Sequence, residues 1–343
     1  MKYLDTNGRL FQPGLLAEVL TGRMLWVDAV HGNDDLAVRE RLTVPFMTLA
    51  SARDAAQSGD TIVVLPGVYD ENDLAKDGVN WHFLPGAIVD YDGSGDALFD
   101  TTGGAMAFKV TGHGVFKTSA GTVRGVYLAN SGDEVSIEFD EFETTGITLY
   151  SKGALTAVGH RIRSLDFDAL FIQGSSENNV DVRHVEADNG IGVHIDSSST
   201  SCVVRIRSFE IVSNGDVALG FTGGTAYIDA YEIKSTTDQA VAYDSYGNHP
   251  LHLRVNRIVS TASGGGQPAI TIDLGSSSSP GQLRLYDCIL ISQNSSYSIT
   301  SVTAGARYVL VNGTCYGNKN KESYITFKGV PGGNPDFYQS DLS

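Results

Sequence analysis

Positive charge is the first thing this sequence lacks. Its 24 Lys and Arg face 40 Asp and Glu, a formal net charge of −16. A nucleic-acid binder neutralises phosphates with a surplus of cations, so nucleic acid is not expected as a partner, and neither is an anionic membrane surface. Apolar runs are short. None approaches the roughly 18 residues that would cross a bilayer, and no membrane insertion is expected. Cysteine is scarce: Cys202, Cys288 and Cys315 are too few and too scattered for a disulfide framework or a zinc knuckle. The strings SCVV and DCIL read as buried, reduced thiols. Sequons at Asn294 and Asn312 mean little without a secretory route. The opening MKYLDTNGRLFQPGLLAEVL has no basic region, continuous apolar stretch or small-residue cleavage site of a secretory signal. The expectation is therefore assembly in a cytoplasm. Strings that announce catalysis are missing too: no Gly-rich phosphate loop, HExxH, GxSxG or CxxC occurs.

Glycine, in contrast, is abundant, at 39 of 343 residues, and only 19% of the chain is charged. Polarity is carried by Ser, Thr, Asn and Gly, which suits many tight turns between short strands. Hydrophobic residues make up 41%, enough to bury a core. The length allows two ordinary domains or one elongated all-β domain.

Internal repetition decides between them. Blocks of the form small, aliphatic, any, apolar begin at Gly125, Gly146, Ala169, Gly192, Ala218, Ala240 and Ala269, at intervals of 21, 23, 23, 26, 22 and 29 residues. A second alternating series lies between them, at Val135/Ile137, Leu155/Ala157, Val180/Val182, Val204/Ile206, Ala226/Ile228, Leu251/Leu253 and Leu283/Leu285. Period two means strands with one buried face. Short strands recurring every ~20–25 residues are the mark of a solenoid, whose rungs share one core. Corner strings such as SSENN, ADNG and VSNGD tolerate left-handed backbone. Helical periodicity nearly vanishes after residue 60. Ser263 to Gln267 and the SSSSPG at 276–281 read as loops protruding from the stack.

Residues 26–71 add a specific string: Val27-Asp28, Gly32-Asn33-Asp34, Pro45-Phe46, Thr48-Leu49, Ala52, Ala55-Ala56, and Gly59 through Tyr69 (GDTIVVLPGVY). This resembles the N-terminal cap of the pectate-lyase-like β-helix superfamily. The resemblance implies a right-handed, single-stranded parallel β-helix, with a helix from about Thr48 to Gln57 plugging one end before the first rung. Leu36 to Leu42 (LAVRERL) departs from it, replacing a short Gly-rich link. The expected division is an N-terminal arm (1–25), a capped parallel β-helix (26–312) and a C-terminal extension (313–343) in which the rung pattern lapses. The superfamily holds polysaccharide lyases, hydrolases, esterases, epimerases and trimeric phage tailspikes and fibres, and the cap string does not choose among them.

Three groups of residues are site candidates. Asp90, Asp92, Ser94 and Asp96 match the first half of a calcium loop, but position twelve is Thr101 and a strand precedes the string, so an acidic solenoid corner explains it as well. No cofactor is expected, with calcium here as the alternative. The second group is a ladder whose outward pairs are Asp181/Arg183, Arg205/Arg207, Tyr227/Asp229, His252/Arg254 and Arg284/Tyr286. Rungs ~4.8 Å apart would join these into one strip. Read as a groove, it binds acidic sugars through Asp181, Arg183, Tyr227, Asp229 and Arg284, or assists proton abstraction through Arg205, Arg207, His252 and Arg254. Read structurally, it is a ladder of Arg–Asp pairs and Arg–Tyr stacks or a subunit interface, which is the preferred expectation. The third is Asp166 with Asp168, a carboxylate pair of the kind that serves inverting hydrolysis, near Asp188 and Asp196. His194 reads as a surface residue.

Two functions follow from this. One is a virion or tail-associated structural protein, a homotrimer that touches cell-surface polysaccharide or other virion proteins. The other is a polysaccharide-degrading lyase or glycoside hydrolase of the same superfamily.

Overall fold

Repeated alternating blocks pair with their counterparts one turn of chain away, and two parallel sheets result, of nineteen and nine strands. The computed structural model describes residues 3–4, 10–11, 23–39, 43–199, 201–244, 249–263, 267–272, 282–286, 288–292, 299–301, 307–312, 314–317, 325–329 and 336–339. The chain is an all-β parallel solenoid with very little helix. The smaller sheet stacks short strands, from Ala97–Asp100 through Leu149–Ser151, Leu170–Ile172 and Val193–Ile195 to Ile299–Ser301.

The larger sheet is built around six strands of eleven residues: β1 Glu134–Thr144, β2 Ala154–Ser164, β3 Glu177–Ala187, β4 Val203–Ser213, β5 Thr225–Ser235 and β6 Pro250–Ser260. Each buries its second, fourth, ninth and eleventh residues, while the seventh and eighth both face outward. Two outward residues in succession break the alternation, so every long strand is two arms meeting at a bend. Beyond β6 the arms are separate strands, β7 Gln282–Tyr286 and β8 Ile289–Ser292.

The inward residues form one apolar cluster from Leu25 to Ile299. Phe83 meets Phe116 edge to face within it, and Phe116 stacks on Phe142 with centroids 4.4 Å apart. The eleventh position, where the chain turns toward the short sheet, carries a small hydroxyl in every long strand except β3, which has Ala187. Ser164, Ser213, Ser235 and Ser260 donate to the carbonyls of Gly146, Gly190, Asp216 and Asp238 at 2.7–2.8 Å. Ser213 also accepts the Asp216 N–H at 2.8 Å, closing the turn.

The quoted N-terminal string forms a hydrogen-bonded unit. Helix α1 (Leu49–Ala55) has Thr48 as N-cap, buries Leu49 and Ala52, and is shorter than the expected helix. Glu71 accepts from Leu49 N and Ala50 N at 2.7 and 2.6 Å, and burial raises its carboxyl above the ordinary range despite those bonds. Gly32 is required because a Cβ there would meet Phe46 O at 2.2 Å. The departing segment supplies Arg39, whose Nη2 donates to buried Asp60 at 2.8 Å. Cys202 and Cys288 are buried thiols. The Cys315 side chain and loop residues 264–266 and 273–281 lie outside the described residues.

Parallel pairing continues past residue 312. Ile325–Gly329 pairs with Arg307–Asn312, and Asp336–Gln339 with Thr314–Gly317.

Candidate functional site

Outward side chains in the first arm of each long strand sit at its third and fifth positions, and parallel register stacks them in columns. One column runs Asn179, Arg205, Tyr227, His252, Arg284, and the other Asp181, Arg207, Asp229, Arg254, Tyr286. All of these but Arg284 line an open groove of about 540 Å³, floored by the backbone of the rungs. A second groove of about 500 Å³, lined by Asn80, Lys109, Glu134 and Ser136, shares Thr156 with the first.

Charges in the columns are matched from rung to rung. Arg207 donates to Asp181 at 2.9 Å, Arg205 pairs with Glu177, and Arg254 Nη1 lies 4.0 Å from Asp229. These pairs are open to solvent, with Arg207 74% and Asp181 54% exposed. Rings interleave with them. Tyr227 stacks on His252 at 4.5 Å, His252 on Tyr286 at 6.2 Å, and the Arg205 guanidinium lies 5.7 Å from the Tyr227 centroid. His252 Nδ1 is 3.1 Å from the Tyr286 hydroxyl. Burial, with the Arg284 charge adding to it, pushes the His252 pKa down to about 4. Such an imidazole is uncharged and a weak proton acceptor near neutrality.

The expected outward pairs meet in this groove with one shift of register. Arg183 is not in the strip. It occupies the bend of β3, its guanidinium 6.0 Å from the Phe209 ring, and Asn179 stands beside Arg205 instead. The cause is Asn178, an inward amide only 1% exposed that interrupts the apolar alternation. Asp166 and Asp168 lie in the turn after β2, away from the strip. Asp166 accepts from Asn189 Nδ2 at 3.2 Å, while Asp168 accepts Ile191 N–H and sits 2.9 Å from His194 Nδ1. Asp90, Asp92, Ser94 and Asp96 are all exposed, and the Tyr91 hydroxyl organises their turn by accepting the Gly95 N–H at 3.0 Å. Among the described residues no three His, Cys, Asp or Glu side chains converge as a metal ion would need. No helix among them is long and apolar enough to cross a membrane.

Sequence reasoning missed two aromatic ladders. On the short sheet Tyr127, Tyr150, Phe171 and His194 follow one another, with Phe171 and His194 stacked at 4.5 Å. Beside them Tyr150 donates to Gln173 at 2.7 Å and Thr222 to Asp196 at 2.8 Å. At the bend Phe209 and Tyr231 stack at 5.0 Å, each nearly half exposed. The only signal for the first was an aromatic third letter in the blocks at Gly125, Ala169 and Gly192.

No family model, curated protein or solved structure matches the chain. What the structure itself shows is the parallel β-solenoid.

Proposed function

We propose that the chain is a structural β-solenoid of a virion or tail assembly, a homotrimer that contacts cell-surface glycan through the groove. What carries this reading is the aromatic run Tyr227–His252–Tyr286 lying beside Arg–Asp pairs on an open face. The rings, stacked on one another from rung to rung, turn apolar edges to the groove and the pairs offer fixed donors and acceptors, a combination that suits a sugar chain. Binding without cleavage is favoured because Arg205 and Arg207 are hydrogen-bonded to carboxylates of the same chain and Arg254 stands beside Asp229. The test is native affinity electrophoresis in purified surface polysaccharide. Wild type should be retarded, a Tyr227→Ala/His252→Ala variant should run freely, and neither new reducing ends nor an unsaturated, ultraviolet-absorbing product should appear. Either product, lost in Arg207→Ala, would make the chain a polysaccharide hydrolase or lyase instead.

A further inference from the structure

Three arginines along one groove, Arg205, Arg207 and Arg254, would suit a polyanion if they stood alone, and the geometry around them argues otherwise. Arg205, Arg207 and Arg254 each have a carboxylate one rung back, in Glu177, Asp181 and Asp229. Three cations therefore face three anions in alternation. A chain of carboxylated sugars would have to compete with these residues for the same N–H groups. It would also run past Asp181 and Asp229, on a molecule whose net charge is already −16, and like charges at this spacing repel. A hydroxyl group meets no such obstacle, because it donates and accepts at once. An Arg–Asp pair presents donors and acceptors side by side, which matches adjacent sugar hydroxyls without any need for charge. The neighbouring groove continues the theme with Asn80, Ser136 and Thr156.

On the glycan-binding reading above, we propose that the groove takes an uncharged, hydroxyl-rich polysaccharide and rejects polyuronates. The carboxylates of Asp181 and Asp229 act as the filter, and Tyr227, its faces covered by Arg205 and His252, offers its exposed edge to the sugar.

Isothermal titration with full-length protein can decide this. The probes are hexasaccharides of glucose, galactose, mannose and rhamnose, set against hexagalacturonate and hexamannuronate. Wild type should bind a neutral probe with a Kd that changes less than about twofold between about 50 and about 500 mM NaCl, because no net charge is screened. It should not bind either uronate. The Asp181→Asn/Asp229→Asn variant uncovers Arg207 and Arg254, so it should gain uronate binding that weakens roughly tenfold or more over the same salt range. A melting curve matching wild type would show that this variant is folded. Wild-type preference for uronate, or no uronate gain in the folded variant, would overturn this inference alone. Failure of every probe to bind wild type would overturn the glycan reading and the inference with it.

Discussion

At the scale of single residues, location decides what an ion pair is worth. Asp60 is 2% exposed and accepts from Arg39 and from Gln57 N at 2.8 Å. Burial alone would raise its carboxyl, but these bonds outweigh burial and hold it below the ordinary range. Asp60→Asn should cost about 3 kcal/mol or more in chemical denaturation, because it leaves a guanidinium half-buried without its counter-charge. Arg207→Ala removes an exposed pair and should change stability by only about 0–1 kcal/mol. His252 gives a pH signature. Its pKa in the fold, about 4, lies below the ordinary 6.5, so the unfolded chain binds the proton first. Its contribution is intact above pH 6.5, declines as pH falls from 6.5 toward about 4, and flattens below that. The groups facing it are Tyr227, Tyr286 and Arg284. A His252→Asn variant should lose less stability than wild type across that window in pH-dependent melts, and equal losses would refute the assignment.

The rung is the element that matters, and its corner is where sequence and structure part. Ser213 both accepts Asp216 N–H and donates to Gly190 O while fully buried. Ser213→Ala should therefore cost about 1–3 kcal/mol, the penalty of orphaned backbone groups. Phe142→Ala should cost about 3–5 kcal/mol through the cavity it opens in the aromatic column. Alternation of apolar residues made the solenoid and most of the groove legible without coordinates. It failed where a polar residue faces inward. Asn178 moved the expected pairs on β3 by two residues. Ser151, buried with its hydroxyl donated to Gly153 O at 2.9 Å, did the same on the short sheet. There Leu149 pairs with Val126, so the true block begins at Thr148 and not at Gly146. A buried polar group satisfied by the local backbone looks in sequence like any other turn residue. The serine column stayed hidden for the same reason.

At the scale of the whole molecule, the stack exposes sheet faces along its length, and these are the surfaces an assembly can use. Light scattering should report roughly three times the 36.6 kDa chain mass. A monomer at high concentration would remove the trimer from the proposal and leave the groove untouched. Everything proposed for the groove depends on the register that sets Asp181, Arg207, Asp229 and Arg254 in one column. Cysteine cross-linking measures that register directly, since a disulfide needs Cα atoms about 4.4–6.8 Å apart and adjacent rungs lie ~4.8 Å apart. Under mild oxidation Asp181→Cys/Arg207→Cys should form an intramolecular disulfide, while Arg183→Cys/Arg207→Cys should stay reduced. The opposite result would put Arg183 in the strip and contradict the columns on which the groove is built.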